Sequence, residues 1–121
     1  MRVAGFGFRG LADVAALRDA LTRAGGGGVQ VLAATPDKAG SAALQALALE
    51  LALPLRVVPE AALVGVQTAH RSARIMARFG TGSLAEAVAL VAAGPGARLV
   101  VGRVVSRCGR ATAAVAEGSD E

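Results

Sequence analysis

Val3-Ala4-Gly5-Phe6-Gly7-Phe8-Arg9-Gly10 (residues 3–10) is the stretch that decides the fold. Residues 3–8 form a short apolar run bounded by glycine, the signature of a buried strand. Immediately beyond, Leu11, Val14, Leu17 and Leu21 recur at helical spacing, while Asp13, Arg18, Asp19 and Arg23 lie off that stripe. A strand therefore passes through a glycine-rich turn into an amphipathic helix. The pattern then repeats. The helix stops at the tract Gly25-Gly26-Gly27-Gly28, which reads as a turn because no helix follows it. Residues 29–35 (VQVLAAT) read as a second strand ended by Pro36, and residues 41–51 as a second helix with Leu44, Leu47, Ala48 and Leu51 on one face. Pro54 and Pro59 bracket a third strand at residues 55–58. Strands alternating with helices predict a parallel sheet with helices packed on it.

The second half reads differently. Residues 60–63 make a single turn and residues 66–71 an aperiodic loop. Residues 72–79 make a short helix, with Arg71, Arg74 and Arg78 near or on it. Ser83 followed by Glu86 is a capping box, which opens an apolar helix over 84–93 that Gly94-Pro95-Gly96 terminates. Residues 98–105 and 111–117 are two strand-like runs joined by a short turn, an antiparallel hairpin. The expected fold is α/β: a three-layer sandwich around a mixed, mainly parallel sheet of about five strands with a C-terminal antiparallel hairpin. One domain is expected over residues 3–117, with 118–121 a frayed tail.

Composition narrows the classes of function. The chain has 121 residues, 54% of them hydrophobic, which is enough apolar surface for one core and argues against disorder. Each long apolar run is broken by a charge, proline or glycine before the ~18 residues that a spanning helix needs. No signal peptide is expected before the first strand, so the expectation is a soluble cytoplasmic protein without a membrane partner. One cysteine, Cys108, cannot form an internal disulfide, and with one histidine, His70, and no clustered carboxylates no metal site is expected. His70 and Cys108 fall in a loop and a hairpin turn, and nothing pairs them as a nucleophile and base. No catalytic residue and no cofactor is assigned. Lys and Arg total 13 against nine acids, for a net charge of +4, and Lys38 is the one lysine among them. Arginine's planar fork suits carboxylate or phosphate, so an anionic ligand is expected. Nucleic acid is not, because base stacking needs aromatics and only Phe6, Phe8 and Phe79 are present.

Candidate ligand-binding residues gather where loops follow strands. Gly5, Gly7 and Gly10 fit G-x-G-x-x-G between a strand and a helix, with Arg9 inside the turn. A dinucleotide is disfavoured, because Thr35 stands where the ribose-binding acid would be and the second βαβ half is missing. Anion binding by backbone N–H groups survives that objection. Thr35, Asp37 and Lys38 follow the second strand, and loops at the carboxyl ends of parallel strands share one rim. Gly80, Thr81, Gly82 and Ser83 form a second glycine-punctuated helix start whose hydroxyls and N–H groups suit an anion, although Ser83 already serves as a cap.

These motifs, in this order, resemble the small domain shared by CobE and the C-terminal part of CbiG, both of cobalamin biosynthesis. The matching stretches are Gly5-Phe6-Gly7-Phe8-Arg9-Gly10, Ala33-Ala34-Thr35-Pro36-Asp37-Lys38, Leu53-Pro54-Leu55, Gly80-Thr81-Gly82-Ser83-Leu84-Ala85-Glu86-Ala87 and Ala97-Arg98-Leu99-Val100-Val101. The likeness covers residues 3–116 and is to the stand-alone, CobE-like form. Relatives often carry a cysteine and an arginine pair in the first loop, where this chain has Phe8 and Arg9, so a thiol role there is excluded. The resemblance implies a part in building the corrin ring: an accessory or carrier protein of the aerobic route that binds a precorrin or corrinoid intermediate. Such rings carry many acetate and propionate groups, which Arg9, Lys38 and the glycine loops would hold, with Phe6, Phe8 and Phe79 as an apolar floor. The alternative is a precorrin lactone hydrolase or deacylase like the CbiG proteins, for which Lys38 could capture an aldehyde as a Schiff base. A third reading is a scaffold for neighbouring enzymes of the pathway.

Overall fold

Eleven short elements are formed by the described residues, and alternation within two strands explains how they stack. The computed structural model describes residues 1–8 and 12–119. The strands are β1 (Arg2–Phe8), β2 (Val31–Ala34), β3 (Leu55–Val57), β4 (Arg98–Val105) and β5 (Ala111–Glu117). The helices are α1 (Val14–Arg23), α2 (Pro36–Ala39), α3 (Ala42–Leu51), α4 (Ala73–Phe79) and α5 (Leu84–Ala93), with a 3-10 turn at Glu60–Leu63. Successive strand residues point to opposite faces. In β1 and β2, Ala4, Phe6, Leu32 and Ala34 pack with Leu17, Leu21, Leu44 and Leu47 of α1 and α3. Val3, Val31 and Ala33 pack on the other face with Leu63, Ala87 and Val88. Both strands are buried on both faces, hence their continuous apolar reading.

The sheet order is β3-β2-β1-β5-β4. β1 pairs parallel with β2, and β2 with β3. β5 runs antiparallel to both β1 and β4, so it alone opposes the other strands and the sheet is mixed but mainly parallel, as expected. The chain first builds outward from β1 to β3 and then crosses back to β4 on the other side. Right-handed crossovers in opposite lateral directions put their helices on opposite faces. That is why α1 and α3 share one layer while α5 occupies the other.

Several boundaries differ from the sequence reading. Helix α1 starts later than the Leu11 stripe suggests, because Asp13 caps it by accepting from Ala16 N at 2.9 Å. Strand β2 is shorter, and Pro36 does not merely end it. Pro36 occupies the first turn of α2, where a missing N–H costs nothing. Helix α3 ends on Ala52 in the left-handed region, at φ 55°. That conformation costs an L-residue about 1 kcal/mol relative to glycine, so Ala52→Gly is expected to stabilise the fold by about that amount, read as a higher urea midpoint. No single helix among the described residues is long and apolar enough to cross a membrane.

Candidate functional site

A cleft of about 480 Å³ opens where β1, β2 and β4 end and β5 begins. This is the carboxyl end of the parallel strands, at the point where the chain reverses its direction of travel across the sheet, and open α/β sheets bind ligands there. Gly7 and Phe8 of β1 contribute, with Asp37 and Lys38 of α2, Arg74 and Arg78 of α4, Arg103 of β4, and Arg110 from the β4–β5 turn. Among the described residues, five cations and one carboxylate line it.

Not all of that charge is free. Arg78 is paired with Glu60 at 3.1 Å and stacks on Phe79 at 4.5 Å. Lys38 lies 4.0 Å from Asp37 and 5.2 Å over the Phe8 ring. Its side chain is only 24% exposed, so it is a cleft residue and not a solvated surface lysine. Asp37 is held below the usual carboxylate range, chiefly by the Thr35 hydroxyl that donates to it at 2.7 Å; burial opposes the shift, and the Lys38 charge adds to it. Arg74, Arg103 and Arg110 have no carboxylate partner among the described residues. The Nε of Arg103 is also buried without any hydrogen-bond acceptor. A buried, unanswered donor costs about 1–3 kcal/mol, and arginines gathered without acids repel one another. Together they leave this cleft with uncompensated positive charge.

A second cavity, of about 520 Å³, adjoins Gly25, Gly26 and Gly27. Among the described residues its one lining cation, Arg18, is already held bidentately by Glu50 at 2.9 and 2.7 Å. The tetraglycine tract therefore remains a turn without a charge to offer.

Of the residues singled out from sequence, Gly7, Asp37 and Lys38 meet in the cleft. Arg9 and Gly10 lie outside the described residues. Gly5 sits inside β1, facing α5 and away from any loop; a Cβ there would lie 2.5 Å from Ala89 N. Thr35 is buried and spends its hydroxyl on Asp37. Gly80, Thr81, Gly82 and Ser83 do not line the cleft. They form the joint between α4 and α5. Gly80 ends α4 with φ 75°, and Thr81, fully buried, donates to Val66 O at 2.6 Å. A Cβ on Gly82 would lie 2.7 Å from His70 O, and the Ser83 hydroxyl accepts from Glu86 N. Phe6 is in the core between sheet and helices, so only Phe8 and Phe79 offer ring surface to the cleft.

The serine half of the capping box is present, but the glutamate half is not. Glu86 is fully buried and turns away from the helix end. Its Oε1 accepts from the N–H groups of Ala69 at 2.8 Å and His70 at 3.0 Å. Its Oε2 accepts from Arg103 N at 2.7 Å and faces His70 Nδ1 at 2.6 Å. Burial alone would push this carboxyl up; the Arg103 and His70 N–H groups outweigh it and hold it below the usual range, so Glu86 stays ionised. The Arg103 N–H is available because β4 slips register against β5 between Val101 and Val104. A bulge of that kind frees a backbone group and re-aims a side chain. Here it sends the N–H to Glu86 and the guanidinium to the cleft. Arg103 and Arg110 were missed in the sequence, and Arg74, noted there with Arg71 and Arg78, was left unplaced, because only the sheet order brings α4 and the β4–β5 turn to the rim beside β1 and β2. Glu86 left a signal: a charge on the buried face of a helix that is otherwise wholly apolar.

Comparison with curated proteins finds no match. Among solved structures, CobE, a protein from the cobalamin (vitamin B12) biosynthetic pathway, superposes with a TM-score of 0.83 at 29% identity. The match covers 100% of this chain and 92% of that one. The cobalamin biosynthesis protein ChiG from Agrobacterium tumefaciens str. C58 gives 0.76 at 37% identity, covering 99% and 100%. A cobalamin biosynthesis protein G homolog from Sulfolobus solfataricus gives 0.71 at 19% identity, covering 98% of this chain and 37% of that one, a likeness of fold. The family described as Cobalamin synthesis G C-terminus matches residues 2–116. On that match, and with the α/β fold it shares with CobE and ChiG, the chain belongs to the Cobalamin synthesis G C-terminus family and has its role in cobalamin biosynthesis.

Proposed function

We propose that the protein binds a precorrin or corrinoid intermediate in this cleft, as an accessory or carrier protein of the aerobic route. The observation that carries the reading is the set of three arginines without acids, Arg74, Arg103 and Arg110, with Lys38 beside them. Corrin intermediates are rimmed by acetate and propionate groups, and forked guanidinium–carboxylate pairs are the strong way to hold them. Phe8 and Phe79 supply a limited apolar surface, so one edge of the macrocycle is seated and the rest stands outside. The cleft takes a group of carboxylates and not the whole ring.

Titration with a metal-free corrin polycarboxylate tests this, followed by visible absorbance and by the mass of the recovered ligand. A coloured stoichiometric complex of unchanged mass is the expected result. Loss of a two-carbon fragment would instead establish the lactone hydrolase alternative, and no complex at all would overturn both. Arg103→Ala and Lys38→Ala are each expected to weaken binding about tenfold, the value of one charge-assisted hydrogen bond, and more so at low salt. Equal affinity in both variants would remove the ligand from this cleft.

A further inference from the structure

Glu86 is buried on α5 and does not line the cleft, yet its two oxygens reach both walls that do. On one side, Gly102 and Arg103 lie between the pairs Val101–Val115 and Val104–Ala113, so two residues of β4 stand where β5 has only Ala114. This bulge turns the Arg103 N–H out of the ladder, and Glu86 Oε2 accepts it at 2.7 Å. Gly102 is drawn in so closely that a Cβ there would lie 3.2 Å from the same oxygen. On the other side, Oε1 accepts from the main-chain N–H groups of Ala69 and His70, and Ser72 N then donates to Gly82 O at 2.7 Å. Ser72 caps α4, and both it and Arg74 line the cleft.

Long side chains that must be ordered when a ligand arrives cost affinity, about two- to tenfold each, and those fixed beforehand do not. Arg103 is half-buried, and its Nε is shielded without an acceptor, so the place its guanidinium reaches follows from the main chain it leaves. That main chain is the part Glu86 holds. On charge alone, a carboxylate behind an anion site opposes the ligand. Its effect through geometry therefore has the opposite sign to its effect through charge. We propose that Glu86 is a positioning residue for ligand binding: by holding the Arg103 N–H in the β4 bulge, it sets the Arg103 guanidinium in place for a ligand carboxylate. The inference rests on the ligand-binding reading of the cleft.

The test titrates the metal-free corrin polycarboxylate into wild type and Glu86→Gln, where far-UV circular dichroism shows both folded. The glutamine amide is expected on the Oε2 side, where the His70 ring nitrogen can turn acceptor, so the Arg103 N–H loses its partner. Loss of the negative charge by itself tightens binding; loss of positioning weakens it, and a net loss of about fivefold is expected. In the Arg103→Ala background the same substitution should change affinity by less than about twofold, because the side chain it positions is gone. A merely structural role would weaken both backgrounds equally. Unchanged or tighter binding by Glu86→Gln, or an equal loss in both backgrounds, overturns the positioning role and leaves the cleft reading standing. Without any ligand, the Arg103 Nε–H of the wild type is expected to show an NMR order parameter of about 0.85, as rigid backbone does, and a value below about 0.6 overturns the role as well. Failure of the wild type to bind the probe overturns the cleft reading, and the ligand role of Glu86 with it.

Discussion

Gly5→Ala is expected to destabilise the protein by about 3 kcal/mol or more, a large share of the roughly 5–15 kcal/mol that keeps a domain folded. The added methyl would meet the carbonyl oxygen of Ala85 and lie 2.5 Å from Ala89 N and 2.9 Å from Ala89 Cβ. Two of those three atoms are helix backbone, so no rotamer change relieves the overlap, and α5 as a whole must move. Helix α5 lies directly across β1, and its residues facing the sheet are alanines such as Ala85 and Ala89, both buried. Absence of a side chain on the strand and small ones on the helix set the spacing between layers. Gly27→Ala is the control: nothing lies within 4 Å and its φ is ordinary, so a change of under about 0.5 kcal/mol is expected. Urea unfolding of both variants measures the contrast. A Gly5→Ala midpoint equal to that of Gly27→Ala would show that the layers are not closely packed at this point.

Glu86→Ala is the second large effect, with an expected loss of about 3 kcal/mol. Four N–H donors on two segments converge on this carboxylate: Ala69, His70 through main chain and ring, and Arg103. Removing it leaves the bulge of β4 and the loop before α4 without their common acceptor. Glu86→Gln retains one carbonyl oxygen but turns an amide donor toward donors, so an intermediate loss of about 1–2 kcal/mol is expected. The same group sets an acid dependence. Its folded value lies below the ordinary glutamate value of 4.5, so its contribution is complete above that pH and disappears as pH falls through the lowered folded value. The wild type should therefore lose stability more steeply than Glu86→Gln below about pH 4.5. Parallel curves for the two proteins would contradict an ionised Glu86. Asp19, Asp37 and Glu50 are also lowered and are common to both proteins, so they cancel in the comparison.

Much of the fold was legible because its signals are local. The α5 and hairpin boundaries follow from Ser83 as a cap, the Gly94-Pro95-Gly96 stop and the turn before Ala111. The site was legible only in part. Lys38 was found because loops after parallel strands share a rim, an inference from strand order alone. Gly5 was misplaced because a glycine that admits a helix backbone and a glycine that frees an N–H look alike in sequence. The strand's own alternation, with Phe6 in the opposite core, separates them. Glu86 was read as half of a capping box because the spacing to Ser83 is right; only burial reveals which way its carboxylate turns. Arg103 depended on a bulge, and a bulge follows from register, which no local pattern near Val101 announces.

The reversed direction of β5 has a topological consequence. Met1 O accepts from Gly118 N at 2.9 Å, so the two ends of the described chain nearly close a loop at the pole of the sheet opposite the cleft. Tethering the molecule to a surface or to another polypeptide through either end leaves the cleft facing outward. A short linker across the ends would give a circular permutant, with new termini cut at the exposed Gly27 and Gly28.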